Sequence, residues 1–429
     1  MDGIPSTLNE VRNVSLLASE LRASEIIKLA GEIKAKIAAG AKIYNYTIGD
    51  FDPKIFPIPT ALKDAIVKAY EADHTNYPPS NGIEPLRNTL SAFIEKEQGL
   101  AYDADSFLVA GGGRPLIYAA FQAILDREEP AVFPVPSWNN NHYTTLTHGR
   151  QIAIETTAEA HFMPTAAMLE PHIQEAGIVA LCSPLNPTGT VFTAPALSDI
   201  CDLIIAENER RKGVRKPLYL LYDQIYWQLC FGDTKHIDPV SINPSMRPYT
   251  IFIDGISKAY GATGVRVGWA FGPRQVIDKM KSILGHVGAW APKPEQVGTS
   301  NFMNDQNAST QFLTAFKSSI HERLDAFYRG FMDLKNSGLP VDAIAPQAAI
   351  YLTVKIDLNG RITPDGNLIN AVEDTTRYIL DKAGLALVPF SAFGADKDST
   401  WYRLSVGTVR LDDIPVVLEQ LRKVIGSLK

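Results

Sequence analysis

The chain has 429 residues, 45% of them hydrophobic and 21% charged, with a formal net charge of −6; that length predicts two domains, and the mildly acidic balance offers no general attraction to nucleic acid or to an anionic membrane. Three cysteines, Cys182, Cys201 and Cys230, lack Cys-x-x-Cys spacing, which argues against a zinc site or a disulfide framework and fits a reducing compartment. No basic leader with an apolar stretch opens the sequence and no apolar run reaches the length of a membrane span, so the expected location is cytoplasmic.

Taken in chain order, residues 24–37 place Ile26, Ile27, Leu29, Ala30, Ile33 and Ile37 at helical spacing and predict a short amphipathic helix. Tyr44-Asn-Tyr-Thr-Ile-Gly49 follows it. Between about 105 and 275, apolar runs at 107–110, 131–135, 178–182, 218–222, 250–253 and 267–271 alternate with helical stretches. That alternation predicts an α/β fold with a mostly parallel, doubly wound sheet covered on both faces. Phe312, Phe316, Ile320, Leu324, Phe327, Phe331 and Leu334 recur every three or four positions and stop before Gly338 and Pro340, which predicts one long helix leading out of the large domain. Strand patterns at 350–356 and 401–406 and helical patterns at 370–382 and 415–425 then suffice for a small α+β domain. The expected division is 50–315 for the large domain and 1–49 with 316–429 for the small one.

In a doubly wound sheet, ligands bind outside the carboxyl ends of the strands, and the unusual residues of this chain fall there. After the run ending at Ala110 come Gly111, Gly112, Gly113 and Arg114 and then a helical stretch, a plausible anion cradle because backbone N–H groups and the helix N-terminus both favour an oxyanion. After Cys182 comes Ser183-Pro-Leu-Asn-Pro-Thr-Gly189, a rigid turn presenting the Asn186 amide. Asp223, with Tyr226 three residues on, ends the next run, and a buried acid there needs a cation. Lys258 follows Ser257 at the end of the run from Thr250; desolvation at such a position favours the neutral amine, a nucleophile able to form a Schiff base. Eight residues later stands Arg266, between glycines.

The ordered set Asn-Pro-Thr-Gly, Asp-x-x-Tyr, Ser-Lys and Arg eight residues on resembles the fold-type-I pyridoxal-phosphate enzymes of the aspartate aminotransferase superfamily, over about Ile48 to Val406. The resemblance implies an aminotransferase of class I/II that moves an amino group between an L-amino acid and a 2-oxo acid by a ping-pong route, with pyridoxal 5'-phosphate held by Lys258 as an internal aldimine. It implies that Asp223 pairs with the pyridine nitrogen, that Asn186 and Tyr226 hydrogen-bond the ring 3-oxygen and that Trp138 stacks on the ring. Gly112, Gly113, Ser257 and Arg266 would hold the phosphate, and Tyr77 would reach the phosphate of a neighbouring subunit, making the active unit a homodimer. Arg403 would grip the substrate α-carboxylate near Gly49, a task for a planar bidentate fork.

Three departures stand out. Ser183 replaces an additional Asn of the turn, Gln224 replaces the common Glu after Asp223, and Arg114 stands where aspartate- and prephenate-type relatives carry a lysine for the distal carboxylate. The last points to aspartate or glutamate as donor, with a second role for Arg114 at the cofactor phosphate left open. Lyases, decarboxylases or an aminotransferase for aromatic or other amino acids would share nearly every cofactor contact. A ligand-sensing regulator would need a DNA-binding domain for which the residues before Ile48 are too few, and neither a dinucleotide fingerprint nor a P-loop follows the first strand.

Overall fold

The computed structural model describes residues 13–21 and 25–429; residues 1–12 and 22–24, which include the start of the expected first helix, lie outside them. In chain order the strands are β1 (Tyr44–Asn45), β2 (Phe107–Ala110), β3 (Pro130–Val135), β4 (Arg150–Glu155), β5 (Ile178–Cys182), β6 (Tyr219–Asp223), β7 (Thr250–Gly255), β8 (Gly268–Phe271), β9 (Val341–Ala343), β10 (Tyr351–Ile356), β11 (Leu385–Ala386), β12 (Val388–Pro389) and β13 (Trp401–Ser405). Seven of these form one sheet in the order β2-β8-β7-β6-β5-β3-β4. Every ladder is parallel except those of β8, which runs antiparallel to β2 and to β7.

Alternation along the strands feeds two hydrophobic layers. Phe107, Val109 and Phe252 pack with Leu86, Leu90, Ile200 and Ile204 from the helices Glu84–Gln98 and Ala194–Arg211. Leu108, Ile251 and Ile253 turn the other way, onto Leu116, Phe121 and Met280 of the helices Gly113–Ile124 and Arg274–Val287. Strands buried on both faces read as continuous apolar runs, which is why they were visible in the sequence. β4 was not: Arg-Gln-Ile-Ala-Ile-Glu lies at the sheet edge with most of its side chains exposed, and the pattern is correspondingly polar.

The long helix spans Gln306–Asn336 and buries Phe316, Ile320, Leu324, Phe327, Phe331 and Leu334. These side chains join a second core with Leu352, Val354 and Leu404 of the four-stranded antiparallel sheet β12-β13-β10-β9. The expected 370–382 helix begins at Val372 and is regular only to Tyr378; its last turn widens to an i→i+5 pattern over Ile379–Ala383 before Gly384 takes a left-handed φ of 62°. The first amphipathic helix, Glu25–Ala38, buries Ile33 against Leu380 and Ala386.

One consequence of the sheet topology positions the site. β2, β5, β6 and β7 run in the same direction, so Ala110, Cys182, Asp223 and Gly255 come out on one edge. β8, being antiparallel, starts at that same edge: Gly268 is register partner to both Ala110 and Gly255. The loop carrying Arg266 therefore meets the glycine turn after β2.

Candidate active site

A cavity of about 670 Å³ opens at the carboxyl edge of the large sheet. Gly49, Gly113, Arg114, Trp138, Asn186, Asp223, Tyr226, Ser257, Lys258, Arg266 and Arg403 all line it. Sequence positions 354 apart thus converge because the sheet edge and β13 face each other across it. Tyr77 does not line it; its ring is 83% exposed and lies edge-on to Trp290 at 5.3 Å.

At the floor, Asp223 ends β6. Its carboxylate accepts the Ile225 N–H at 3.0 Å, and it has no ion-pair partner within 4 Å among the described residues. Burial raises its pKa to about 6, against the pull of the Ile225 N–H and of Lys258. Lys258 follows β7 on the short helix Ile256–Ala259, and its ammonium donates to the Gly49 carbonyl at 2.8 Å. Burial lowers Lys258 to about 8; Arg403, Arg114 and Arg266 push the same way and Asp50 opposes them. A poised amine thus shares the cavity with a poised acid, each partly buried and the two not in ion-pair contact.

The glycine turn and Arg266 make one anion-binding corner. Gly112 caps the helix Gly113–Ile124 with φ 96°, and a Cβ there would come within 2.3 Å of the Arg266 guanidinium, so glycine is required both for the turn and for the close approach. Gly268 is needed for the same corner, since a Cβ on it would fall 2.7 Å from the Gly112 carbonyl carbon. Arg266 itself has φ 61°, an uncommon conformation for a long side chain, and is held by bonds to the Thr263 and Gly111 carbonyls, both 2.8 Å. The Gly112 N–H is engaged with the Ala110 carbonyl at 2.7 Å. The donors left for an anion are the first-turn N–H groups of Gly113 and Arg114, which have no intrahelical partner.

On the opposite wall, β13 carries Arg403 as a central strand residue between Thr353 of β10 and Val388 of β12. Only 2% of it is exposed. Its guanidinium donates to Asn186 Oδ1 at 3.0 Å and to the Thr47 carbonyl at 2.7 Å, lies 4.6 Å from the Tyr351 ring centre and keeps a buried Nε without a partner. The Tyr226 hydroxyl pairs with that of Tyr351 at 2.6 Å, and burial drives the Tyr226 phenol far above its usual range. At the mouth, the Arg114 guanidinium lies 5.3 Å from the centre of the Trp138 ring.

Sequence reasoning missed Tyr351, Asp50 and Thr263, which also line the cavity. Tyr351 opens an apolar strand and reads as core; only its register opposite Ser405, two residues from Arg403, turns it toward the site. Asp50 follows Gly49 directly and accepts the Thr263 hydroxyl at 2.6 Å, a contact across 213 positions that no local pattern announces.

The family described as aminotransferase class I and II matches residues 42–421. This chain belongs to that family. A bifunctional aspartate aminotransferase and glutamate/aspartate-prephenate aminotransferase of Petunia hybrida is 27% identical over 97% of this chain and 84% of its own length. An aspartate aminotransferase of Bacillus subtilis is 25% identical over 95% and 97% respectively. Among solved structures, an aspartate aminotransferase from Rhizobium meliloti superposes with a TM-score of 0.89 at 26% identity, covering 97% of this chain and 100% of that one. The aminotransferase is a pyridoxal-phosphate-dependent transaminase of the α/β fold-type-I class.

The residues present fit that cofactor. A partly buried acid without an ion-pair partner suits a protonated ring nitrogen, a desolvated amine suits its carbonyl carbon, and the Gly112–Arg266 corner, closed to any larger residue, suits its phosphate. No group of His, Cys, Asp and Glu among the described residues has the arrangement to hold a metal ion. No helix among them is long and apolar enough to cross a membrane.

Proposed function

We propose that this aminotransferase takes a dicarboxylic donor, aspartate or glutamate, and passes its amino group to a 2-oxo acid. The observation that carries the reading is a pair of guanidinium groups on different elements of one cavity, Arg403 and Arg114, neither with a carboxylate within ion-pair distance among the described residues. Two fixed forks suit two carboxylates. Arg403, desolvated and already aligned by Asn186 and Thr47, takes the α-carboxylate; Arg114, steadied over Trp138, takes the distal one. The names of the Petunia and Bacillus relatives agree with this choice of donor.

Pyridoxal 5'-phosphate, when bound, supplies an electrophilic carbon for the amino group and a ring that draws electrons from the substrate Cα. The chain's own residues do the rest. Lys258 would hold the cofactor, and its free amine would remove and return the substrate Cα proton; a pKa near 8 suits it to act in both directions close to neutral pH. Asp223 would keep its negative charge for the ring nitrogen, and Asn186 and Tyr226 would donate to the ring oxygen. Gly112 opens space for the phosphate, which Gly113, Ser257 and Arg266 hold. Trp138 walls the ring from water, and Gly49 lets the substrate approach Arg403.

The same reading includes a homodimer in which Tyr77, exposed in one chain, reaches the phosphate bound by its partner, and a cytoplasmic location. It divides the chain into a large domain, 50–315, and a small domain, 1–49 with 316–429, a reading supported by the core that Ile320, Leu324 and Phe327 share with Leu352, Val354 and Leu404. The test is the visible spectrum of the purified protein before and after L-aspartate, without any oxo acid. Loss of the yellow band with release of oxaloacetate is the expected result; a yellow protein that answers L-phenylalanine and ignores L-aspartate and L-glutamate overturns the choice of donor.

A further inference from the structure

Behind Asp223 lies a second carboxylate that no step above uses. Asp254 is on β7, the strand next to Asp223, and is fully buried. It accepts the indole N–H of Trp227 at 2.8 Å and the Gly255 N–H at 2.7 Å, both neutral donors, and no cation lies within ion-pair distance among the described residues. Trp227 directly follows Tyr226, so this contact docks the turn that carries Asp223 and Tyr226 onto the strand that leads to Lys258. The polar chain continues through Gln224, whose amide donates to Gln98 at 3.2 Å and whose oxygen lies 3.3 Å from His236 Nε2.

We propose that Asp254 is a positioning residue for Asp223: it carries a proton at neutral pH, fastens the Tyr226–Trp227 turn through the indole N–H, and leaves Asp223 as the one negative charge at the cavity floor. Two carboxylates on adjacent strands, neither with a cation within ion-pair distance among the described residues, favour a single shared charge, since each raises the cost of ionising the other. Asp223 retains the charge because it faces Lys258 and the cavity, whereas Asp254 faces neutral donors. The directions agree. Burial first, then the neighbouring Asp223, raises Asp254 to about 8 against the pull of Gly255, Trp227 and Gln224, while Asp223 is raised to about 6.

Other titratable groups face this pair. His236, from the loop after β6, is lowered to about 3 by burial, and Tyr260, beyond Lys258, is driven far up by burial with Asp254 adding to it. Glu97 of the helix Glu84–Gln98 faces Tyr260. Lys258 titrates near Asp254's range and is the one group to be separated by controls.

This inference rests on the proposed role of Asp223, and its test reads Asp254 separately. The full-length holoenzyme is labelled with 15N at its tryptophan indoles, the Trp227 resonance is assigned with Trp227→Phe, and its shift is followed from pH 6 to 10. The expected result is one step near pH 8 that is absent in Asp254→Asn and moves to lower pH in Asp223→Asn. A flat wild-type resonance, a step that survives Asp254→Asn, or a step that Asp223→Asn leaves in place overturns the proposal; a step identical in the apoprotein leaves it standing even if cofactor binding by Asp223 fails, since that failure would appear as a colourless protein.

Discussion

The two edges of the large sheet treat buried charge in opposite ways. At the amino edge, Glu207 and Arg211, with side chains 4% and 1% exposed, form an ion pair at 2.5 Å, and buried Glu129 is met by Lys216 at 2.5 Å and Arg215 at 3.1 Å. Arg211 also donates to the Ile173 and Ala176 carbonyls at 2.8 Å each. At the carboxyl edge, Arg403 is just as deeply buried and Asp223 and Lys258 are partly buried, yet each is left with neutral partners. The charges of the amino edge are closed on one another; those that line the cavity are left open.

The largest effect should come from removing the open charge that moves the proton. Lys258→Ala is expected to lower kcat for amino transfer by roughly 10,000-fold or more, as loss of both a nucleophile and a general base implies, with the fold intact by circular dichroism. Breaking a closed pair should do the reverse. Glu207→Ala leaves Arg211 buried and uncompensated, and should cost about 3–5 kcal/mol of stability in denaturant unfolding while kcat of the surviving folded enzyme stays at the wild-type value. A Glu207→Ala enzyme with normal stability and depressed kcat would erase the distinction between the edges. Between these lies Arg403→Lys, which keeps the charge and loses the fork. Its bonds to Asn186 and Thr47 cannot both be kept, and the KM for every amino donor should rise roughly 10- to 100-fold, the size of a charged hydrogen bond, with a smaller change in kcat.

Much of this was legible in the sequence because buried parallel strands and strand-end motifs leave continuous local marks. Apolar runs located six of the seven strands of the large sheet to within two residues at each end; residues just past two of the runs supplied Asp223 and Lys258, and the residue just before a third supplied Arg266. What stayed hidden depended on contacts between distant segments. β4 is an edge strand whose polar outer positions mask its period. Tyr351 reads as one more core aromatic until its hydroxyl is seen on Tyr226. Asp254 stands just past the apolar run 250–253 with no local signal of a role, and only the turn folding back to bring Trp227 onto it shows that it is built in. The closed ion pairs of the amino edge were equally silent, since Glu129 and Lys216 meet across 87 positions.

The effect that probes the comparison most directly asks what an open charge costs before its ligand arrives. In the protein stripped of cofactor, Asp223 has a folded pKa near 6 against an ordinary value of 3.8. The folded state therefore binds more protons than the unfolded state between those values, and stability falls as pH rises through that window, reaching the full penalty above about pH 6. The penalty is on the order of 3 kcal/mol. Lys258 has the mirror-image behaviour: its folded pKa near 8 lies below 10.5, so the unfolded state binds more protons and stability is regained as pH rises from 8 toward 10.5. Asp223→Asn should then melt higher than the wild-type apoprotein at pH 7 and match it near pH 4, whereas in the presence of pyridoxal phosphate the order should invert, since the variant has lost the charge that the ligand neutralises. Thermal melts at the two pH values, with and without cofactor, decide it; an Asp223→Asn apoprotein that melts lower than wild type at pH 7 would mean that this acid, like those of the other edge, is part of what holds the fold together.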